Sequence, residues 1–87
     1  GGPVETSLLQ HSHPGLVHAD RLDEAAEGGA DRWGEWVSGV NLAYDTAEFS
    51  ENGTVGDPRD GGPKRGEKLL DDASDALVAL LNHVAER

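Results

Sequence analysis

Residues 64–84 read KRGEKLLDDASDALVALLNHV, and this stretch decides the fold of the 87-residue chain. Its apolar side chains recur every three or four residues, the spacing that places them on one side of an α-helix. They are Leu69, Leu70, Ala73, Ala76, Leu77, Leu80, Leu81 and Val84. Pro63 suits the first helical position, where its missing N–H has no intrahelical partner to lose. We therefore predict an amphipathic helix over about 63–86, with an apolar stripe that needs a partner.

The start of the chain predicts a second, shorter helix over about 3–12. Pro3 again suits the first position, and Glu5 lies in the first turn, where the helix dipole favours an acid. Pro14 disfavours helix at the residue before it, so the helix should end by His13. Only Val4, Leu8 and Leu9 offer an apolar face, which is too little to cover the long stripe.

The middle of the chain has weaker patterns. Asp20 could cap a turn or two of helix through Ala26, and 31–37 has helical spacing, whereas 40–44 alternates as a strand does. Pro14-Gly15 has the composition of a type II turn, and the turn signals between Ser50 and Gly66 predict a loop. The predicted chain is mostly helical, with an irregular middle that contains at most short strands.

Composition narrows the class of protein. Asp and Glu number 17 against 7 Lys and Arg, a formal net charge of -10. This charge argues against binding to nucleic acid or to anionic membranes, which both need clustered basic side chains. Acid-rich, lysine-poor composition favours a halophile over an ordinary acidic cytosolic protein, and we expect the chain to fold best in strong salt, which screens self-repulsion.

The apolar content limits independent folding. Leu, Val and Phe make up 18 of 87 residues, Ile is absent, and no cysteine is present to staple the chain. No apolar run is long enough to span a membrane and no signal-peptide pattern occurs, so we expect a cytoplasmic protein. The chain is either one small domain over 1–87 or the C-terminal part of a larger one.

Few residues suggest chemistry by themselves. The histidines His11, His13 and His18 lack the three- or four-residue spacing of helical metal ligands, which favours exposed helix-end histidines over a metal site. Glu5, Thr6 and Ser7 are followed by nothing like a G-x-S-x-G nucleophile motif. Trp33 and Trp36 could line a ligand pocket or cover the edge of a core, and the i, i+3 spacing favours the core.

Three stretches in this order resemble the C-terminal part of the creatininase (creatinine amidohydrolase) family. They are GGPVETSLL with HPGLV at 1–17, WVSGVNLAYDTAEFSENGTVGDP at 36–58 and KRGEKLLDDASDAL at 64–77. The family motifs are H-[AG]-G-x-x-E-T-S at the start of a helix, followed later by N-G-x-x-G-D-P and a terminal helix. This chain departs from them at Pro3, which replaces Glu or an apolar residue, and at 61–63, where GGP replaces a capping Ser.

The resemblance implies an α/β family fold, of which this chain is a mostly helical C-terminal fragment. It places Gly1 and Gly2 directly after an active-site histidine, which Glu5, Thr6 and Ser7 would support. The family's zinc or manganese ions are held by upstream residues. The resemblance therefore implies no catalytic residue, no metal ligand and no activity within these 87 residues alone.

Two functions remain open at this stage. The first is the C-terminal part of a metal-dependent amidohydrolase that cleaves a non-peptide or cyclic amide C–N bond, with the missing N-terminal part as the partner of this chain. The second is a small acidic interaction module without catalytic activity, which self-associates through the C-terminal leucine stripe. The substrate, the metal and the oligomeric state are not determined by the sequence.

Overall fold

A computed structural model describes all 87 residues. The protein is mostly helical, with three α-helices and one short two-stranded sheet. The elements in chain order are α1 (Pro3–Ser12), α2 (Leu22–Glu27), β1 (Glu35–Val37), β2 (Val40–Leu42) and α3 (Pro63–Ala85). The two main predicted helices are confirmed, with α3 ending one residue earlier than expected, and the turn or two of helix expected through Ala26 is present as α2.

The long helix α3 has 23 residues, which corresponds to about 35 Å at 1.5 Å per residue. Helix α1 has 10 residues, so it spans less than half of that length. The two helices pack together at the N-terminal half of α3, where Gly66 is buried beneath α1. The C-terminal half of α3 extends past this contact, and its leucines are about half exposed.

The crossing of α1 and α3 depends on the absence of a side chain at Gly66. A β-carbon at this position would collide with the main-chain carbonyl of Ser7. The two helix backbones therefore approach more closely than any other residue would allow. Ser7 and Gly66 are both buried, and they fix where the short helix crosses the long one.

A β-hairpin replaces the helix that spacing suggested over 31–37. Strands β1 and β2 are antiparallel, with Val37 opposite Val40. The two turn residues, Ser38 and Gly39, both have positive φ, at 48° and 88°, as a type I′ hairpin turn requires. The strand expected from Val40 is confirmed, and its pairing extends β structure back to Glu35, overriding the local helical spacing.

Two further local expectations are corrected. Gly15 is not among the glycines with positive φ, and Leu16 N–H donates to the His13 carbonyl at 2.9 Å, so Pro14–Leu16 forms a 3₁₀ turn instead of a type II turn. Asp20 does not cap α2: it lies within a second 3₁₀ turn, Ala19–Arg21, and the residue that precedes α2 makes no side-chain cap.

The protein has no buried hydrophobic side chain. Its five buried residues are Thr6, Ser7, Ser50, Pro58 and Gly66, all polar or small. Most of the exposed large apolar side chains lie on α3 and on the hairpin, and others lie on α1, at Leu16, at Trp33 and at Tyr44. No helix is both long and apolar enough to cross a lipid bilayer.

Replacing Gly66 with alanine tests the helix crossing. Alanine favours a helix interior over glycine by about 1 kcal/mol. The added methyl group meets main-chain atoms that cannot rotate away, and overpacking of this kind costs about 1–3 kcal/mol. We expect Gly66→Ala to lower the free energy of unfolding, measured by urea denaturation in molar salt with circular dichroism.

The matched control is Gly15→Ala, because an alanine β-carbon at Gly15 has no atom within 4 Å. We expect this variant to unfold at the urea concentration of the unchanged protein. A Gly66→Ala protein as stable as the control would contradict the close crossing.

Candidate functional site

The first residues of the chain lie against the loop that contains the sequence NGTVGDP (52–58). A β-carbon on Gly2 would collide with the Val55 carbonyl, and one on Gly56 would lie 2.9 Å from Pro3 Cδ. Gly56 also has φ of +93°, a conformation that L side chains rarely adopt. Glycines on both sides therefore bring two segments 50 residues apart into backbone contact.

The loop is held by hydrogen bonds from its own polar side chains. Asn52 Oδ1 accepts the Thr54 N–H at 3.0 Å, and Asn52 Nδ2 donates to the Ala25 carbonyl at 2.9 Å. The buried Ser50 hydroxyl donates to the Thr54 carbonyl at 2.8 Å. The side chains at 50 and 52 thus define the loop and tie it to the end of α2.

A short parallel bridge adds a second attachment between the loop and the residues after α2. Ala30 N–H donates to the Thr54 carbonyl at 2.9 Å, and Gly56 N–H donates to the Ala30 carbonyl at 2.7 Å. The Gly28 carbonyl accepts the N–H groups of Glu51 and Asn52. The loop is therefore fixed by main-chain bonds on both sides of Gly53.

An ion-pair cluster follows the bridge. The Arg59 guanidinium donates to both carboxylate oxygens of Asp57, at 2.9 and 2.8 Å, and to Asp23 of α2 at 3.1 Å. These hydrogen bonds, with one from the Arg59 main-chain N–H, lower the pKa of Asp57 to about 2. They also raise the pKa of Arg59. The cluster is exposed, so it adds specificity to the loop position more than stability.

Ser7 joins α1 to the start of α3. Its side chain is 1% exposed, and its hydroxyl accepts the N–H of Gly62 at 3.1 Å. Gly62 precedes α3 and has no side chain with which to cap it. Ser7 therefore stabilises the beginning of a helix 55 residues away, at the place where the family motif has a capping Ser.

Thr6 and Glu5 differ from Ser7 in their surroundings. Thr6 is buried and its hydroxyl donates to the Gly1 carbonyl at 3.4 Å. Glu5 is exposed. Of the three residues, Glu5 is the one whose side chain can meet a ligand.

A shallow depression of about 290 Å³ lies between the first residues and the loop. Its lining combines main chain with the side chains of Val4, Glu5 and Val55. The depression contains Gly1 and Gly2, which the family resemblance led us to expect beside an active-site histidine, together with Gly53 of the loop. The sequence singled out both segments, but only the folded chain brings them together.

The two tryptophans lie elsewhere. Trp33 packs edge to face on Phe49, with ring centroids 5.5 Å apart, and is 42% exposed. Trp36 lies on β1 and is 58% exposed. The packing of Trp33 agrees with a role at the edge of a small cluster, and a ligand pocket at these tryptophans stays a prediction.

The residues of this chain do not fit a metal centre. No three His, Asp or Glu side chains come together in an arrangement that could hold a metal ion. Of the three histidines, all exposed, only His13 makes a side-chain hydrogen bond, with its Nδ1 3.0 Å from Ser12 Oγ. No reaction step at a metal can be assigned to these side chains.

Several residues that position the loop and its neighbours were not predicted from the sequence. Asp45 and Glu48 form a reciprocal capping box around the 3₁₀ turn Thr46–Glu48. Their D-x-x-E spacing was a usable signal, because this pattern is typical of helix starts. The pairing of Arg59 with Asp23 had no such signal, since 36 residues separate them.

Ser7→Ala tests the contact between the helices. The substitution leaves the Gly62 N–H without its acceptor in a part-buried position, so we expect the free energy of unfolding to fall by about 1 kcal/mol. Ser12→Ala is the matched control on the same helix, because the Ser12 hydroxyl is exposed and its two partners, the Leu8 carbonyl and His13 Nδ1, both lie within five residues of it. Equal stability of the two variants in urea denaturation would refute this role of Ser7.

Acid should weaken the attachment of the loop. The pKa of Asp57 is about 2 in the folded chain against 3.8 for the free group, so the unfolded chain binds more protons between these values. The stabilisation is therefore present above about pH 4 and is lost as pH falls toward 2.

We expect Arg59→Gln to flatten this part of the curve of unfolding free energy against pH. Arg32→Gln, which removes an arginine that makes no ion pair, should keep the slope of the unchanged protein. Parallel curves for all three proteins would show that Asp57 and Arg59 do not interact.

A family model described as Creatininase, Creatinine amidohydrolase, matches residues 1–81. The match covers α1, the hairpin, the loop and most of α3. Neither a curated protein nor a solved structure matches the chain.

Proposed function

This chain belongs to the creatinine amidohydrolase family, and on that premise we propose that it forms the C-terminal part of a metal-dependent amidohydrolase. The reaction is hydrolysis of a non-peptide or cyclic amide C–N bond. The chain contributes one wall of the active site and the scaffold behind it. Zinc or manganese belongs to the complete enzyme and is held by residues outside these 87.

The observation that carries this proposal is the contact between the GGPVETS segment and the NGTVGDP loop. These are two of the stretches on which the resemblance to the family rests, and they meet along the edge of the depression. The contact needs glycine on both sides, at Gly2 and at Gly56, so the same close approach explains a glycine in each motif. Three of the seven residues that line the depression are glycines, and Glu5 is its only ionisable side chain, so the depression suits the positioning of neighbouring groups better than chemistry of its own.

Within this site we propose distinct roles for the segment at 1–7. Gly1 and Gly2 provide main chain next to the active-site histidine expected before them. Ser7 and Thr6 hold that main chain in place, the former through Gly62 and the latter through the Gly1 carbonyl. Glu5 is exposed at the rim of the depression and orients the histidine or the substrate.

The exposed apolar surfaces support a larger assembled protein. Leu77, Leu80 and Leu81 on α3 are 55–58% exposed, and Val40 and Leu42 on the hairpin are 52 and 54% exposed. Apolar surfaces of this kind mark interfaces, because water disfavours them. We propose that the α/β domain of the complete family fold covers them.

A second candidate function rests on the same surfaces. The stripe on α3 could pair with a second copy, which would make the chain a small acidic interaction module without catalytic activity. The half-exposed leucines along the C-terminal half of α3 favour this alternative, since α1 covers only the other half. Experiments with the chain alone and with the complete polypeptide distinguish the two functions.

The decisive experiment assays amide hydrolysis by the polypeptide that the complete coding sequence specifies. We expect it to hydrolyse creatinine or a related cyclic or formyl amide, to lose activity in a chelator, and to regain activity with zinc or manganese. The 87-residue chain assayed in parallel should show no turnover. Turnover by the 87-residue chain alone, or an inactive complete polypeptide that binds no metal, would contradict the proposal.

A physical measurement addresses the alternative. We expect the isolated 87-residue chain to gain helix in molar salt and to self-associate, because screening reduces the repulsion of its net charge of -10 while apolar surface stays exposed. Circular dichroism and sedimentation in low and in molar salt measure both. Leu77→Glu should prevent association, whereas Ser74→Glu serves as a control on the same helix. A monomer that is equally folded in both salts would contradict this expectation.

A further inference from the structure

Asn52 and Gly53 form an asparagine-glycine pair at the tip of the loop. Both residues are exposed, and the space around Gly53 is open, with no atom within 4 Å of where its β-carbon would lie. The N–H of Gly53 donates to no other group. The main-chain nitrogen of Gly53 is therefore free to react with the side-chain amide of Asn52.

The chemistry open to such a pair is deamidation. The Gly53 nitrogen forms a bond to Asn52 Cγ, the bond from Cγ to Nδ2 breaks, and ammonia leaves with the proton that the Gly53 nitrogen gives up. Water then opens the resulting succinimide at either carbonyl and gives aspartate or isoaspartate. Glycine favours the first step because it has no side chain to obstruct the approach. The only reactant besides the chain is water.

The fold opposes this reaction by holding both ends of the Asn52 amide. Nδ2 donates to the Ala25 carbonyl, and Oδ1 accepts the Thr54 N–H. The amide also lies directly over Gly28, where a β-carbon would be 2.7 Å from Nδ2. Rotation of the side chain toward the Gly53 nitrogen must break at least the bond to Ala25.

We infer that Asn52 is a deamidation site kept closed by its contact with Ala25 and Gly28, and that modification releases the loop from α2. The product replaces the donating NH₂ group with a carboxylate oxygen. That oxygen would lie beside the Ala25 carbonyl, and two acceptors repel each other. The loop then keeps its bridge to Ala30 and loses its side-chain tie, while the net charge becomes more negative. This inference does not depend on the proposed catalytic function.

The first test compares the folded protein with the unstructured peptide of residues 48–57. Both are incubated at neutral pH in molar salt, and isoaspartate and the Asn-to-Asp mass change are followed at Asn52. One retained hydrogen bond corresponds to about a fivefold difference in rate, so we expect slower deamidation in the protein by at least that factor. Asn41 and Asn82 are followed by Leu42 and His83 and serve as internal controls that should not react. Equal rates in protein and peptide would overturn the inference.

The second test uses Gly28→Ala, which displaces the side-chain amide of Asn52 and leaves the reacting residues, Asn52 and Gly53, unchanged. Gly28 has φ of -86° and ψ of -4°, which alanine adopts freely, so Gly28→Ala alters only the space under Asn52. We expect this variant to deamidate faster than the unchanged protein, whereas Gly15→Ala, which meets no atom, should react at the unchanged rate. Circular dichroism must give the same helix content for both variants, which separates local release from unfolding.

A folded Gly28→Ala protein that reacts no faster than Gly15→Ala would overturn the protective role of this contact. If Gly28→Ala does not fold, the comparison of protein with peptide still decides the question. Hydrogen exchange on Asn52→Asp provides a third measurement. We expect faster exchange in this variant at the main-chain N–H of Glu51, which donates to the Gly28 carbonyl at the end of α2, and unchanged exchange there would contradict release of the loop.

Discussion

The close crossing of α1 and α3 is the constraint on which the rest of the structure depends. Gly66 allows the Ser7 main chain to approach α3, and the Ser7 hydroxyl accepts the N–H of Gly62 at the beginning of that helix. Gly1 and Gly2 directly precede Pro3, the first residue of α1, so the crossing also sets the position of these residues against the NGTVGDP loop. The direct contact between the backbones at Ser7 and Gly66 therefore fixes the position of the longest helix relative to the candidate site.

The interior of the protein is unusual because polar and small residues occupy it. In most domains apolar burial is the dominant favourable term, whereas here main-chain and side-chain hydrogen bonds position the parts and the leucines face outward. A chain with this distribution supplies surfaces for assembly more than a core of its own. The exposed leucines are the observation behind the proposal that further structure covers α3 and the hairpin.

The candidate site shows the same division of roles. The residue types of Thr6 and Ser7 could suggest a catalytic role. Both are buried, however, and their hydroxyls form hydrogen bonds with main-chain groups. Glu5 alone of the E-T-S motif is exposed at the depression. Asn52, on the facing loop, is likewise engaged at both ends of its amide, so the fold controls the reactivity of the Asn52-Gly53 pair.

The sequence by itself determined the two principal helices, the β2 strand and the family, because these follow from local periodicity, proline placement and ordered motifs. Its composition also determined the net negative charge. It did not determine the hairpin partner of Val40, the 3₁₀ turn at Pro14–Leu16, or the pairing of Arg59 with Asp23. Only the tertiary structure decided those, and it alone revealed why Gly2, Gly56 and Gly66 must be glycine. The reason is that local patterns in the sequence indicate secondary structure, whereas the close approach of two backbones depends on a neighbour that is distant in the sequence.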